Sequence, residues 1–496
     1  MLLLVPLVPS VLTGPSVSGP SCILLAIFVP IAGSFLLPCV GWYSARLRNL
    51  LALLLVLFPL TIALSLFPAA LAGDIARVFV PLPLGLNFAL TGDALALFMA
   101  ATSSLIGSII VLYSWGYISH YDNQNEYYFI VVLFLGSMMG IVFSASLIYL
   151  FVFWEMTALA SWRLIGFFRS PQAVRKADKA FLVTVFGALM MLVGFLCIFE
   201  LSGSFDLAAI RLWLAGKPLP NIAVVLILFG IFAKSATLPL HTWLPDAGVA
   251  PSPVTALLHA AVLVMIGVYV YARLFVATFT LAGQWHTIIP AIAAASMLLS
   301  AGAALVDTDL KRIIAFSTIS QIAFIFLGLS VGGEVGVAGA LLYILMHGMA
   351  KGGLFLCAGI VEQNTQTRDI RKLGGLFHTM PVTATAFLFC AFSVMGLPPF
   401  GGFFGKFMVI SGALATGKLW IALTFLAGAC LTLLYLLRIF ARVFLGEARI
   451  PEKEGSPVMV FSVSALAVLS LAGGLLINYI ADPVRLTVQQ MLGGVQ

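Results

Sequence analysis

The sequence predicts an all-α polytopic membrane protein with about fourteen transmembrane helices, and three observations carry that prediction. Hydrophobic residues make up 62% of the 496 and charged ones 9%, with a mean hydropathy of +1.14, a composition suited to lipid more than to water. Apolar runs of roughly 20 residues, the length a helix needs to cross a bilayer, recur along the chain. Those runs lack the two-residue alternation of an outer-membrane barrel.

In chain order the runs centre near residues 31, 58, 104, 135, 155, 190, 232, 263, 296, 321, 348, 397, 430 and 468. Between the second and third, ARVFVPLPLGLNFALTGDALALF carries Pro81, Pro83 and Gly85 and reads as a short external hairpin. The remaining connections are too short for a soluble domain, since the longest polar stretches run only from Ser202 to Asn221 and from Glu362 to Met380. The opening MLLLVPLVPSVLTGPSVSGPS is apolar without a basic flank, so it reads as a mature N-terminus and not as a signal peptide.

Basic side chains divide by loop parity. One set holds Arg46, Arg48, Arg169, Arg175, Lys176, Lys179, Lys311, Arg312, Arg368, Arg371, Lys372, Arg442, Arg449 and Lys453; the other holds mainly Arg77, Arg211, Lys217, Arg273, Lys418 and Arg485. The positive-inside rule puts the first set in the cytoplasm of a bacterial or archaeal cell, and an even number of crossings leaves both termini outside the cytoplasmic (inner) membrane. The net charge of +7 then belongs to membrane topology, and nucleic acid is not an expected partner. Cys22, Cys39, Cys197, Cys357, Cys390 and Cys430 stand singly, with no spacing for zinc, haem or an iron–sulfur cluster. Neither a P-loop nor a dinucleotide fingerprint occurs, so no cofactor is expected.

Four ionisable residues interrupt the apolar runs: Glu155, Lys234, Lys351 and Lys406. A charge at the bilayer centre costs about 2.5 to 3.5 kcal/mol even on the lenient insertion scale, so such groups face a protein interior or a wet cavity and mark an ion path. Two runs also carry their own helix breakers. Pro239 and Pro245 follow Lys234, and Pro398 and Pro399, among several glycines, precede Lys406. Unwound backbone at membrane depth needs protein or water to satisfy it, so each break implies a polar pocket beside its lysine. A broken helix recurring in two halves of a chain is the signature of transporter repeats. Four segments are expected on that basis: 1–124 with three helices and the hairpin, repeats over 125–278 and 285–445, and a last helix within 446–496.

At residues 233–264, AKSATLPLHTWLPDAGVAPSPVTALLHAAVLV resembles the most recognisable segment of the antiporter-like subunits of respiratory complex I, membrane-bound hydrogenases, formate hydrogenlyases and Mrp-type cation/proton antiporters. FVFWEMTALASWRLIGF, DTDLKRIIAFSTISQIAF, LMHGMAKGGLFLCAG and GLPPFGGFFGKF are similar to four further family segments in the same order, so the resemblance covers about residues 90 to 445. It implies fourteen helices with two inverted five-helix repeats. It also implies roles: Glu155 and Lys234 as the gating pair of the first half-channel, His259 as a connecting relay, His347 and Lys351 as central axis residues, and Lys406 as the terminal residue. The implied partners are lipid, further antiporter-like subunits and, in the redox complexes, a redox arm.

The chemistry fits those roles. Burial and a nearby carboxylate act in opposite directions on an amine's proton affinity, which makes the Glu155 and Lys234 couple a switchable proton site. Histidine suits a relay because its unperturbed pKa lies near working pH. Each assignment has a plainer rival. Glu155 and Lys234 would be a structural ion pair, Lys406 a cap on freed carbonyls, Lys351 the partner of another subunit's acid, and the histidines, His241 included, packing groups. Arg175, Lys176, Asp178 and Lys179 read as a solvated loop, and Arg163 as a partner of Glu155 or a snorkelling cation.

The favoured function is a proton-translocating subunit of a redox-driven pump, without a catalytic centre of its own. The alternative is a subunit of an Mrp-type Na⁺/H⁺ antiporter, and an inert scaffold has little use for lysines in lipid. Sodium coordination wants several oxygens at one site, and Glu155 alone is available at mid-membrane, so protons are the better cargo.

Overall fold

The computed structural model describes residues 19–260, 262–447 and 453–493, so the reading of the N-terminal segment and the placement of Arg449 lie outside the described residues. The first half runs α1 Gly19–Tyr43, α2 Ala45–Leu71, β1 Ala76–Val80, β2 Phe88–Gly92, α3 Ala94–Tyr117, α4 Gln124–Phe143, α5 Leu147–Ile165, α6 Pro171–Ser202, α7 Leu207–Leu214 and α8 Asn221–Lys234. After Lys234 come α9 Trp243–Asp246, α10 Ser252–Ala260, α11 Leu263–Tyr271 and a π-helical turn, Ala272–Val276. The second half runs α12 Trp285–Val306, α13 Leu310–Val331, α14 Glu334–Thr365, α15 Leu376–Thr379, α16 Pro381–Met395, α17 Gly401–Ala415, α18 Leu419–Val443, α19 Pro457–Leu475 and α20 Ile477–Gly493.

Among the described residues twelve helices are long and apolar enough to cross a membrane, and the shorter apolar helices α8, α16 and α17 make up the two interrupted crossings. β1 and β2 pair antiparallel as a hairpin, Ala76 opposite Gly92. Helix starts follow local chemistry. The side chains of Ser44, Asp93, Ser170, Asp206 and Asp309 each accept the backbone N–H three residues on, and Pro171, Pro381 and Pro457 occupy the first helical position, where no N–H is needed.

The most buried crossings are the one over Ser252–Val276, at 100%, and α13 and α14, at 94% each, against 33% to 39% for α1, α2, α6 and α18. The outer helices turn large apolar side chains outward, Phe35, Leu54, Leu182 and Leu423 among them, faces suited to lipid or to other apolar helices. Polar chemistry at membrane depth is therefore gathered along α13 and α14 and the helices that touch them.

Two backbone clasps tie the ends of helices together. Leu147 N–H donates to the Phe205 carbonyl at 2.9 Å and Leu207 N–H to that of Ala145 at 3.0 Å. In the second half Leu310 N–H donates to Arg368 at 2.8 Å and Ile370 N–H to Thr308 at 3.0 Å. Each of the four positions lies 163 residues beyond its counterpart, as from Leu147 to Leu310 and from Phe205 to Arg368.

Several charges differ from the sequence reading. Arg175, Lys176, Asp178 and Lys179 lie in the first turns of α6 and not in a loop, because Ser170 caps that helix and Pro171 starts it. Lys179 pairs with Asp246 at 2.8 Å, and Arg312 reaches the same carboxylate at 3.2 Å. Arg48 is buried in α2 and bonds Asn125 at 2.5 Å and Gln124 at 2.7 Å. Arg163 contacts neither Glu155 nor open water alone: it pairs with Glu126, which also holds Arg169 at 2.7 Å.

Candidate functional site

The first interruption begins at Lys234, the last residue of α8, and the chain stays out of regular helix until Trp243. Pro239 lies in this stretch, after a cis bond from Leu238. Pro245 does not: it sits inside the single helical turn of α9, where a proline lacking its N–H costs nothing because the first N–H groups of a helix are unbonded anyway. The Lys234 ammonium is fully buried and donates to the Trp154 carbonyl at 3.2 Å, with the Trp154 ring 5.2 Å away. Glu155, next along α5, makes no direct ion pair with it, and Glu155 Oε1 has no hydrogen-bond partner among the described residues. Lys234 is thus held by the residue that precedes Glu155, without an ion pair to the carboxylate itself.

The second interruption spans Gly396 to Phe400, between α16 and α17. Gly396 adopts φ +81°, a left-handed conformation natural to glycine, and the Pro398–Pro399 bond is cis. Gly402 and Gly474 are also required: a Cβ on Gly402 would lie 1.9 Å from the Ser393 carbonyl oxygen, and one on Gly474 1.8 Å from that of Pro399. This close approach brings the Lys406 ammonium to the Val394 carbonyl at 2.6 Å, one of those freed where α16 ends. The rings of Phe324 and Tyr343 lie 4.4 and 5.3 Å from it, a cation–π setting that holds a charge with few solvent contacts. The capping contact anticipated as the plain alternative for Lys406 is therefore present, alongside the burial a relay needs.

Between the interruptions, α10 presents His259 and α14 presents His347 and Lys351, all fully buried. His347 Nε2 lies 3.4 Å from the His259 carbonyl oxygen. Both ring nitrogens of His259 and Nδ1 of His347 lack partners among the described residues. Such atoms are costly to bury dry, and an imidazole pair of this kind is suited to bridging by water. His241 lies in the first interruption with its Nδ1 3.3 Å from the Pro239 carbonyl, a local turn contact that places it in no group with the others.

Lys351 donates to the Ser317 hydroxyl at 2.5 Å and to the Ile314 carbonyl at 3.3 Å. From there the sequence reading missed a run of polar side chains. Ser317 donates to the Tyr435 hydroxyl at 2.8 Å, Gln321 Nε2 donates to the same hydroxyl at 3.1 Å, and Tyr343 donates to Gln321 Oε1 at 2.5 Å. Tyr343 closes the run at the Val394 carbonyl, 3.5 Å away, which Lys406 also uses. The available signal was Ser317 and Gln321 four residues apart, on one face of an otherwise apolar helix.

Two further charge groups frame the site. Lys311, buried at the start of α13, pairs with Glu362 at 2.6 Å and donates to the Ala250 carbonyl at 3.1 Å. At the other end of the helices Arg273 pairs with Asp93, bonds its second oxygen at 2.7 Å, and reaches the Tyr269 hydroxyl at 2.9 and 3.0 Å. Burial by itself would raise the Asp93 carboxyl, but the Arg273 charge and hydrogen bonds hold it below the ordinary carboxylate value.

The family model described as NADH:quinone oxidoreductase/Mrp antiporter, TM matches residues 144–432, and one described as NADH-Ubiquinone oxidoreductase (complex I), chain 5 N-terminus matches residues 81–129. Among curated proteins the chain is 35% identical over 489 residues to the A subunit of the Na(+)/H(+) antiporter of Alkalihalophilus pseudofirmus, covering 91% of this chain and 60% of that one. It is 35% identical over 423 residues to the A1 subunit of the Na(+)/H(+) antiporter of Staphylococcus saprophyticus, covering 79% and 52%. The chain thus spans about half to three-fifths of the length of these relatives. Its fold is similar to chains in the Mrp complex from Dietzia sp. (TM-score 0.87, 23% identity, 96% and 97% covered) and in respiratory complex I from Thermus thermophilus (TM-score 0.81, 24% identity, 96% and 100% covered).

Proposed function

The chain belongs to the NADH:quinone oxidoreductase/Mrp antiporter membrane family, and from that premise we propose that it is a proton-conducting, antiporter-like subunit of an Mrp-type Na⁺/H⁺ antiporter. Of the two function classes left by the sequence, the antiporter gains from the 35% identity to the Na(+)/H(+) antiporter A subunit over 91% of the chain. The redox-driven reading rests on the family models, whose descriptions also name NADH:quinone oxidoreductase, and on a likeness of fold.

The observation that carries the transport reading is the row of buried ionisable groups at two helix interruptions and along the central helix. In this reading Glu155 and Lys234 form a gate. A proton bound at Lys234 is favoured when the Glu155 carboxylate approaches and disfavoured when it withdraws, and the present separation corresponds to the withdrawn arrangement. His259 and His347 pass the proton between halves, Lys351 receives it, and Lys406 holds the far end. The matching clasps, 163 residues apart, support two repeats over 125–278 and 285–445, inverted because α5 and α13 start on opposite sides after an odd number of further crossings. Partners would be further antiporter-like subunits seated on the apolar outer helices, in a bacterial cytoplasmic membrane with the odd-numbered connections inside.

Lys234→Ala and Glu155→Gln test this in the assembled complex. Each should abolish sodium-driven proton movement in everted vesicles while the complex still co-purifies intact, and proton movement at the unmodified rate in both would remove the route.

A further inference from the structure

We propose that Gln321 is a positioning residue that fastens the Lys351 and Lys406 sites to one another while barring protons from hopping straight between them, an inference that rests on the transport route above. The two lysines come from different helices, α14 and α17, and the described hydrogen-bonded connection between their sites runs through Gln321 to Tyr343 and ends on the Val394 backbone carbonyl, which Lys406 also uses. On the Lys351 side every link is a hydroxyl: ammonium to Ser317, Ser317 to Tyr435, Tyr435 to Thr432 at 3.3 Å. Hydroxyls pass protons, because each can accept one as it gives one up. That series stops at Thr432, which donates to the Gly428 backbone carbonyl at 2.8 Å. Nothing beyond it among the described residues leads towards Lys406.

Gln321 continues the connection with different chemistry. Its Nε2 bonds both Thr432 and Tyr435 at 3.1 Å, and its Oε1 accepts from Tyr343. Whichever way the amide is turned, one end donates and the other accepts, so it ties the two tyrosines at fixed separation. A hydroxyl accepts and donates at one oxygen, whereas an amide accepts at its oxygen and donates at its nitrogen, so relaying a proton would leave it in the unfavourable imidic acid form. Gln321 is fully buried among Tyr343, Tyr435 and Thr432, themselves fully or nearly fully buried, where broken hydrogen bonds are costly. The bridge is mechanically continuous and protonically interrupted, first at the Gln321 amide and again at the Val394 carbonyl, which only accepts. A proton at Lys351 therefore cannot leak directly to Lys406, and transfer must wait for a rearrangement that opens another path.

The intact antiporter complex in proteoliposomes with an internal pH dye gives two readouts: proton exchange driven by added sodium chloride, and passive proton leak with no cation gradient. Gln321→Leu and Tyr435→Phe, which remove bridging atoms, should each slow exchange about tenfold, as expected when a buried hydrogen bond is lost from the conducting arrangement, and leave the leak unchanged. Gln321→Glu, nearly isosteric, supplies a group that can carry a proton as far as Tyr343, whose ring lies 5.3 Å from the Lys406 ammonium, and should raise the leak several-fold. Exchange with an unaltered rate and pH profile in Gln321→Leu, or a leak in Gln321→Glu equal to that of the unmodified complex, overturns the proposal. Tyr435→Phe deletes one oxygen and keeps the ring, so it decides the positioning role even where Gln321→Leu fails to assemble. Lys351→Ala separates the two levels. If it exchanges normally, the transport route itself fails; if it is inactive while the Gln321 variants behave as unmodified, only the role given to Gln321 fails.

Discussion

A lysine in a run of leucine, valine and phenylalanine declares itself, because no lipid-facing role explains its desolvation cost. That is why Lys234, Lys351 and Lys406 were legible in the sequence, and all three are buried. Ser317, Gln321, Tyr343 and Tyr435 were not, since single hydroxyls and amides are common in membrane helices. Their meaning lies in convergence from α13, α14 and α18, which packing decides. The ion pair of Arg273 and Asp93 was hidden for the same reason: 180 residues separate its members. Removing one member leaves an uncompensated buried charge, so Arg273→Met should cost about 3 to 5 kcal/mol of stability. Adding Asp93→Asn, which keeps an oxygen for the cap on Ala96, should recover most of that loss in the melting temperature of the purified complex.

Among the elements, the two interruptions were readable as breaks because prolines and glycines gather there, but their inner architecture was not. Pro245 looked like part of a break and instead completes a helical turn, a difference of register that composition does not encode. The second interruption depends on closeness as well as on proline. Gly474 of α19 lies against the Pro399 carbonyl, where a methyl group has no room. Gly474→Ala should therefore shift the break, lower stability by about 1 to 3 kcal/mol or more, and disturb the Lys406 contact with Val394. Gly302, inside α12 with nothing within 4 Å of where a methyl group would sit, is the contrast. Gly302→Ala should be neutral, or stabilising by up to about 1 kcal/mol through helix propensity, and the pair of melting temperatures checks both.

For the whole molecule, the order of crossings was legible because hydrophobic length is a local property. The deep burial of α13 and α14 was not, because a buried apolar helix and a lipid-facing one have the same composition. Orientation is open to a direct measurement. In a chain whose six native cysteines are replaced, Arg46→Cys should react with a membrane-impermeant maleimide only in inside-out vesicles, and Lys217→Cys only in right-side-out ones. Reversed labelling would invert the assignment of sides.

The paired backbone clasps have a mechanical consequence. They are made by main-chain atoms, which no single exchange other than to proline deletes, so they act as fixed pins at the ends of the two halves. With the loops pinned, a proton-driven motion has little freedom at the helix ends. Compliance is left to the irregular stretches at mid-depth, beside the amines of the proposed route, so that in that route the same few residues would serve as both trigger and hinge.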